Sequence, residues 1–477
     1  MRWKSGKIFK ASVAVLVTFL FFLLVVLTAL CFWVLNKWDG IYLSEIAANL
    51  TVRNLRYTEK TLILKGALTA ALPLFAVAVL FFIVRKWTKD HKKVFYLVIL
   101  GADILLSALV FRIVWKDMDG RNYFLRSDFV KDHYIDPDYV KVTAPENKRN
   151  LIYIFMESME TGFADRETGG LSEENYIPEL TRLALENECF NGEESKLNGA
   201  VTMKGTDWTL AGIISQRLGF PLVAEKETKK PIHHGYRSMG EILQDAGYKN
   251  YFLQGSSAGF TGKGEVLREH GDYRIYDYDY ARKMGWIPED YNVWWGFEDR
   301  KLFEFARERL TEIGSREEAF NFSMLTVDTH PQDGYVCELC EDKYDTQYAN
   351  VAACASSQVY DFVQWCKAQD FYKNTTIVIS GDHVSMNGGT FDEERKNRRV
   401  YTCYINPAVK PEKDEERHYT VFDDFPTTLA ALGFEIEGER LGLGTNLFSD
   451  RETLCEEVGQ SEMTYELSKR QVGFENK

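Results

Sequence analysis

The chain has 477 residues and a net charge of −13, which leaves room for a membrane anchor and one large domain. The charge is uneven: residues 1–116 carry 16 Lys and Arg against 5 Asp and Glu, and the remainder carries 41 against 65. This acidic balance excludes nucleic acid as a partner for the part after residue 116. If that part handles phosphate, the positive charge must be local, from a metal ion or a few Lys and His.

Three apolar segments predict a membrane anchor over residues 1–116, with three transmembrane helices. The first segment, 11–36, has 26 residues without a charge, which is enough to span a bilayer. The others are 66–84 and 94–110. Basic residues before the first segment and between the second and third predict that both places face the cytoplasm. We therefore expect a multi-pass protein of the cell membrane whose large domain after residue 116 is extracytoplasmic.

Beyond the anchor, the pattern predicts an extracytoplasmic linker, one α/β domain and a tail. Residues 117–149 are polar and contain two X-Pro breakers, as linkers often do. The catalytic domain is predicted to cover 150–450. Residues 451–477 form an acidic C-terminal tail, which we expect to be a solvated helix or a disordered end rather than a partner site.

The predicted domain alternates apolar runs with helical patterns. Short runs bounded by polar residues are typical of buried strands. They lie at 151–156, 250–253, 322–327, 376–379 and 400–405. Helices between such strands predict a mostly parallel central sheet with helices on both faces.

Chemically capable side chains follow three of these strands. Glu157 comes directly after the first strand, Asp382 and His383 follow 376–380, and His330 follows 322–327. Open α/β sheets bind ligands at the carboxyl ends of their strands. Carboxylates with one imidazole suit manganese, zinc or iron ions better than calcium. Singly, each residue could be a cap or a solvated group; together they favour a metal site.

Thr209 lies at a predicted helix start, in the segment Gly-Thr-Asp-Trp-Thr-Leu-Ala-Gly that ends at Gly212. Helix N-termini attract anions, and a metal-activated hydroxyl there could attack phosphorus. An ordinary N-cap explains the same threonine equally well.

Cysteine spacing gives a second, weaker signal. Cys337 and Cys340 form a Cys-x-x-Cys pair, but neither a second such pair nor a nearby pair of histidines completes a zinc motif. The sequence therefore favours a local disulfide, with Cys354 as a possible partner, over a metal site.

The motifs that contain Glu157, Thr209, His330 and Asp382-His383, with a final Leu-Gly-Leu-Gly-Thr-Asn-Leu-Phe at 441–448, occur in the order of a known family. The chain resembles the lipoteichoic acid synthase and phosphoglycerol transferase I group of the sulfatase superfamily, which has an alkaline-phosphatase-like fold. The resemblance implies a phosphoglycerol transferase that moves glycerol phosphate from phosphatidylglycerol, through a threonine-bound intermediate, to an envelope glycan or glycolipid.

The same resemblance implies roles for individual residues. The implied metal ligands are Glu157, Thr209, Asp382 and His383. Thr209 is also the implied nucleophile, and the usual ion is Mn²⁺, with Zn²⁺ or Mg²⁺ as alternatives. His330 is expected to bind substrate and carry a proton, and Lys263 to hold phosphate as a point charge. Trp208 is expected either to shape the pocket or to be part of the core.

Two departures concern the donor. Thr261 and Gln254 stand where the synthases have a Trp and a His that contact glycerol phosphate. A phosphoethanolamine transferase or a phosphodiesterase of the same superfamily is therefore an alternative. A catalytically silent membrane protein that binds lipid or glycan is the alternative of another class, but it would have no use for a metal-activated threonine.

Overall fold

The computed structural model describes residues 2–38, 40–43, 46, 60–192, 196–222 and 235–473. It divides into two compact units, of which the second begins at Leu125. The first unit contains the helices α1 (Arg2–Lys37), α2 (Lys60–Trp87) and α3 (Lys92–Arg112). Each includes a stretch long and apolar enough to cross a membrane, as expected. Most of the predicted loop between the first two spans falls outside the described residues.

A seven-stranded sheet forms the centre of the second unit. Its strands in chain order are β1 (Asn150–Met156), β2 (Gly199–Val201), β3 (Lys249–Gln254), β4 (Arg274–Tyr276), β5 (Phe320–Leu325), β6 (Thr375–Gly381) and β7 (Arg399–Ile405). The spatial order is β2-β7-β6-β1-β5-β3-β4. The five strands from β6 to β4 run parallel, whereas β7 and β2 pair antiparallel at one edge. The predicted fold class is confirmed.

Two details of the predicted strands are corrected. The strand predicted at 322–327 ends at Leu325, because the Asp299 carboxylate accepts hydrogen bonds from the N–H groups of Val327 and Asp328 and turns the chain. The strands β2 and β4 were not predicted. Each has three residues, too few for an alternating pattern to be recognised.

Helices cover both faces of the sheet, because alternate residues of β1 enter different cores. Ile152, Ile154 and Met156 belong to one buried cluster, and Tyr153 and Phe155 to another. The helices of at least six residues in this unit are α4 (Pro178–Glu186), α5 (Thr209–Leu218), α6 (Met239–Asp245), α7 (Lys263–Glu269), α8 (Tyr278–Lys283), α9 (Asp299–Gly314), α10 (Gln347–Lys367), α11 (Asp424–Ala431) and α12 (Gln460–Ser468).

The segments on either side of the predicted catalytic domain pair with each other, and the preceding segment also pairs with the domain. Residues 126–127 pair in parallel with 470–471, and 142–143 pair antiparallel with 435–436. The described part of the acidic tail, up to residue 473, forms a short helix at Leu454–Val458 and then α12, and apolar residues of both helices are buried. Its apolar residues, among them Met463, are spaced to face inward and are buried in a third cluster that also contains residues of α5. The segment after 450 thus supports the helix that begins with Thr209.

Candidate active site

The register of the sheet brings two carboxylates together. Met156 at the end of β1 pairs with Gly381 at the end of β6, so Glu157 and Asp382 begin adjacent loops at the same edge. The N–H of Glu157 donates to Thr326 Oγ1 at 2.9 Å, and the N–H of Asp382 donates to the Met156 carbonyl at 3.0 Å. Parallel pairing of β1 with β6 therefore brings the two carboxylates together at the carboxyl ends of the strands, as the sequence predicted.

Glu157, Asp382 and His383 form a buried cluster whose potential ligand atoms all lie within 4.8 Å of one another. His383 Nε2 is 3.4 Å from Glu157 Oε1 and 3.6 Å from Asp382 Oδ2. His383 Nδ1 is 2.8 Å from the Val384 carbonyl oxygen. Because a carbonyl only accepts, Nδ1 carries a hydrogen, and Nε2 is the ring nitrogen that faces the carboxylates. This is the arrangement of a metal-binding histidine.

Ser158 orients both carboxylates. Its hydroxyl donates to Glu157 Oε1 at 2.8 Å, and its N–H donates to Asp382 Oδ1 at 2.8 Å. The N–H of His383 reaches the same Oδ1 at 2.8 Å. Asp382 Oδ2 is buried and has no hydrogen-bond partner among the described residues. Such a carboxylate oxygen is costly to bury unless a cation takes it.

The electrostatics of the cluster favour a positive charge. Burial and the neighbouring charge of Glu157 raise the pKa of Asp382 to about 7. Burial lowers the pKa of His383, but the charges of Asp382 and Glu157 outweigh it and raise that pKa to about 9. The two carboxylates therefore repel one another in a site that water does not screen, and a divalent cation would relieve this repulsion.

Thr209 is the first residue of α5, and its Oγ1 donates to Glu157 Oε2 at 3.3 Å. The preceding Trp208 is extended and makes no side-chain cap, so its side chain does not satisfy the N–H groups at the helix start. Gly212 lies against Asp382 so closely that a Cβ would be 1.8 Å from the Asp382 carbonyl oxygen. This contact sets the separation of the helix from the β6 loop.

His330 lies in the loop after β5 with a half-buried side chain. Its Nδ1 is 2.7 Å from the Pro331 carbonyl oxygen, so Nδ1 carries hydrogen and Nε2 is left to exchange a proton. The Trp295 ring packs beside it, with ring centroids 4.8 Å apart. Burial lowers the pKa of His330, and the charge of Glu157 partly opposes this effect.

Lys263 begins α7 and is 4% exposed. The chain reaches it through a tight turn in which Thr261 and Gly262 have φ of +55° and +80°. Burial lowers the pKa of Lys263 to about 8, although the charges of Glu157 and Asp382 oppose the shift. A buried ammonium within the field of these carboxylates can neutralise an anionic substrate there.

Trp208 is half-buried and packs against the third cluster, beneath α5. Two further residues of this region, Ser158 and Trp295, were missed by the sequence analysis, whereas Gln254 was named there as a departure from the synthases. Gln254 ends β3, and its Oε1 is buried without a hydrogen-bond partner among the described residues. For the two missed residues, the adjacency of Ser158 to Glu157 was the only available signal, since Trp295 approaches His330 through tertiary folding.

The family model described as Sulfatase matches residues 149–434, a range that contains every candidate site residue. The chain belongs to the Sulfatase family. Phosphoglycerol transferase I of Escherichia coli is 30% identical to it over 332 residues, which are 66% of this chain and 42% of that protein. The Escherichia fergusonii protein of the same name is 30% identical over 334 residues, with the same shares. This sulfatase-family chain thus spans less than half the length of these relatives.

Solved structures agree on the fold. A protein of the alkaline phosphatase superfamily from Vibrio parahaemolyticus superposes with a TM-score of 0.50 at 19% identity, covering 64% of this chain and 74% of that one. The integral membrane lipooligosaccharide phosphoethanolamine transferase A of Neisseria meningitidis gives 0.52 at 13% identity, covering 94% and 87%. The alkaline-phosphatase-like fold of this sulfatase-family chain is thereby confirmed.

Proposed function

We propose that this protein is a phosphoglycerol transferase that moves glycerol phosphate from phosphatidylglycerol to a hydroxyl of an envelope glycan or glycolipid. The observation that carries the proposal is the contact between the Thr209 hydroxyl and the buried cluster of Glu157, Asp382 and His383. The relatives named phosphoglycerol transferase I support the choice of headgroup. The three apolar helices support a membrane location, where the lipid donor is found. We propose that the catalytic domain faces the extracytoplasmic side.

The cluster fits a divalent cation. Asp382 supplies a buried oxygen that accepts no hydrogen bond from the described residues, His383 an oriented Nε2, and Glu157 and Thr209 further oxygens. Hard oxygens with a single nitrogen suit Mn²⁺, with Zn²⁺ and Mg²⁺ as alternatives. When bound, such an ion lowers the pKa of a coordinated hydroxyl and neutralises charge on a phosphoryl oxygen.

In the first half-reaction, Thr209 Oγ1 attacks the phosphorus of the lipid. A bond forms between Oγ1 and phosphorus, the bond from phosphorus to the diacylglycerol oxygen breaks, and the threonine proton passes to solvent. The protonated Nε2 of His330 gives its proton to the leaving diacylglycerol oxygen. Lys263 and the N–H groups at the start of α5 neutralise the phosphate during the attack.

In the second half-reaction, the acceptor hydroxyl attacks the same phosphorus and returns its proton to His330 Nε2. The bond to Thr209 Oγ1 breaks, and this oxygen recovers a proton from solvent. The Pro331 carbonyl holds Nδ1–H throughout, so a single ring nitrogen serves both halves. The packing of Trp295 against the ring keeps that nitrogen directed toward the site.

The test uses the full chain in detergent micelles, with Mn²⁺ and headgroup-labelled phosphatidylglycerol, without an acceptor. We expect a glycerol phosphate adduct on the peptide that contains Thr209, and an equal amount of diacylglycerol. Thr209→Ala should form neither product and keep the melting temperature, because it removes one hydroxyl and little volume. Thr209→Ser is the matched control, since it retains a hydroxyl at the same position.

Unchanged diacylglycerol release by Thr209→Ala would refute the threonine mechanism. If metal-loaded wild type forms no adduct with phosphatidylglycerol but forms one with phosphatidylethanolamine, the headgroup assignment is wrong and the transfer chemistry stands. Release to water, with no transfer to any added glycan or glycolipid, would identify a phosphodiesterase. Binding of lipid without turnover would identify a catalytically silent membrane protein that binds lipid.

A further inference from the structure

Three cysteines outside the candidate active site converge on one point. Cys337 and Cys340 lie in the loop between β5 and α10, and Cys354 lies on α10. Cys337 Sγ is 3.7 Å from Cys354 Sγ and 3.7 Å from Cys340 Sγ, and all three sulfurs lie within 4.8 Å of one another. The sequence indicated Cys354 as a possible neighbour of the pair, and the structure confirms that neighbourhood.

The predicted disulfide is not formed, since all three residues are free thiols. A disulfide needs sulfurs about 2.05 Å apart. Four thiolates around zinc, at about 2.3 Å from the metal, give a tetrahedron whose edge is about 3.8 Å. The observed sulfur separations of 3.7 Å match this edge. Three thiols also cannot all be satisfied by disulfide bonds, whereas they can all bind one metal ion.

A hydrogen-bond donor contacts one of the sulfurs, as donors do around thiolates. Gln358, one turn beyond Cys354 on α10, donates its Nε2–H to Cys354 Sγ at 3.3 Å. Such donors stabilise negative charge on sulfur and orient the ligands of a metal.

Two acidic side chains are buried near the cluster, and burial raises the pKa of each. Asp299 and Asp328 are 0% and 2% exposed, and both interact electrostatically with Cys337. Asp328 Oδ2 is buried and has no hydrogen-bond partner among the described residues. Two buried carboxylates beside three thiols are stable only if protons or a cation neutralise them. A thiophilic divalent cation bound by the sulfurs would supply the neutralising positive charge.

We propose that Cys337, Cys340 and Cys354 bind one Zn²⁺ ion at a second metal site, separate in its residues from the candidate active site. Cys340 is half-buried, so solvent can supply the fourth ligand. The site would tie α10 to the loop that carries His330: Tyr335, two residues before Cys337, donates its N–H to the Asp328 carbonyl at 2.7 Å and closes that loop. The zinc would therefore stabilise the position of His330.

The two metal sites can be measured separately. The background is the full chain with Glu157→Ala and Asp382→Ala, which empties the first site, purified under reducing conditions in detergent and dialysed against Zn²⁺. We expect about one zinc per chain by elemental analysis. Cys340→Ala, at a half-buried position, should lose this zinc and still fold. Cys366→Ala is the matched control, because Cys366 is a buried cysteine of α10 outside the cluster.

Substitution of cobalt for zinc tests directly whether thiolates bind the metal. Thiolate-to-cobalt charge-transfer absorption should appear in the background protein and in Cys366→Ala, and be lost in Cys340→Ala. The proposal is overturned if the background protein binds no zinc, or if Cys340→Ala retains it. It is also overturned if alkylation of the native protein before reduction shows one reactive thiol among the three, which indicates a disulfide. None of these results depends on the activity proposed for Thr209.

Discussion

Gly212→Ala should damage the candidate active site, although the substitution is usually favourable in a helix. In a helix interior, Ala is more stable than Gly by about 1 kcal/mol. Here the new Cβ would lie 1.8 Å from the Asp382 carbonyl oxygen, and real Cβ atoms essentially never approach within 3.0 Å. Helix α5 and the β6 loop must therefore separate by about 1.2 Å or more. We expect overpacking to cost about 1–3 kcal/mol and reverse the sign of the stability change.

The displacement has a larger effect on catalysis, because Gly212 and Thr209 belong to the same helix and Asp382 supplies the candidate metal ligand. A misplacement of about 1 Å between reacting groups can cost about 100-fold in rate. We expect turnover of phosphatidylglycerol, measured as diacylglycerol release, to fall by about that factor, with a lower melting temperature of the full chain in detergent.

Gly101→Ala is the control for the general effect of adding a methyl group to a helical glycine. Gly101 lies in α3, and a Cβ there would meet nothing within 4 Å. It should leave turnover unchanged and not lower the melting temperature. If Gly212→Ala is as active as wild type and melts at a higher temperature, the contact between α5 and Asp382 does not position the nucleophile, and this reasoning is wrong.

Three other substitutions test single interactions. Asp382→Asn should lower metal affinity, measured by titration, by more than about 100-fold; unchanged metal content would remove Asp382 from the ligand set. Lys263→Ala should raise KM for the lipid about 10–100-fold, as expected for a charge-assisted hydrogen bond of about 1.5–3 kcal/mol. Because burial lowers the pKa of Lys263 to about 8, its charge is present below that pH and lost above it. KM of wild type should therefore rise above about pH 8, and a flat profile would contradict this role. Glu456→Gln should lower stability by about 1–3 kcal/mol at neutral pH, because Glu456 pairs with the buried Arg417 at 3.0 Å. Burial raises the pKa of Glu456, but hydrogen bonds from Arg417 and backbone amides lower it overall. The stabilisation is thus present above the unfolded pKa of about 4.3 and lost as pH falls through the folded pKa. A difference in melting temperature that persists at low pH would refute this.

Several features were readable from local sequence, because each depends on a short stretch of chain. The runs that became β1, β6 and β7 are apolar on both faces, which is typical of central strands. The three long apolar segments predicted the helices of the first unit for a similar reason, since length and hydrophobicity decide whether a helix can span a bilayer. The order of the motifs predicted the Sulfatase family, which the match over 149–434 confirms.

The geometry of the site needed the tertiary structure. The sequence places Thr209 and Asp382 more than 170 positions apart, and only the packing of α5 on the end of β6 makes Gly212 a close contact between them. Ser158 appeared in the sequence as a neighbour of Glu157, but its hydrogen bonds to both carboxylates depend on the pairing of β1 with β6. The contact between Trp295 and His330 depends on tertiary packing, which no periodic sequence pattern indicates.

The cysteines show the same division between local and long-range information. Spacing identified Cys337 and Cys340 as a pair, because two cysteines three positions apart in a turn can bind the same metal ion. Spacing did not decide between a disulfide and a metal, since that choice depends on where a third sulfur lies. The fold puts Cys354 at 3.7 Å from Cys337. The sequence by itself therefore determined the three long apolar helices, the α/β fold and the family, and it predicted the residue types of the candidate site. Tertiary structure alone decided which of those residues meet and at what distance, because such contacts join segments that sequence patterns treat as independent.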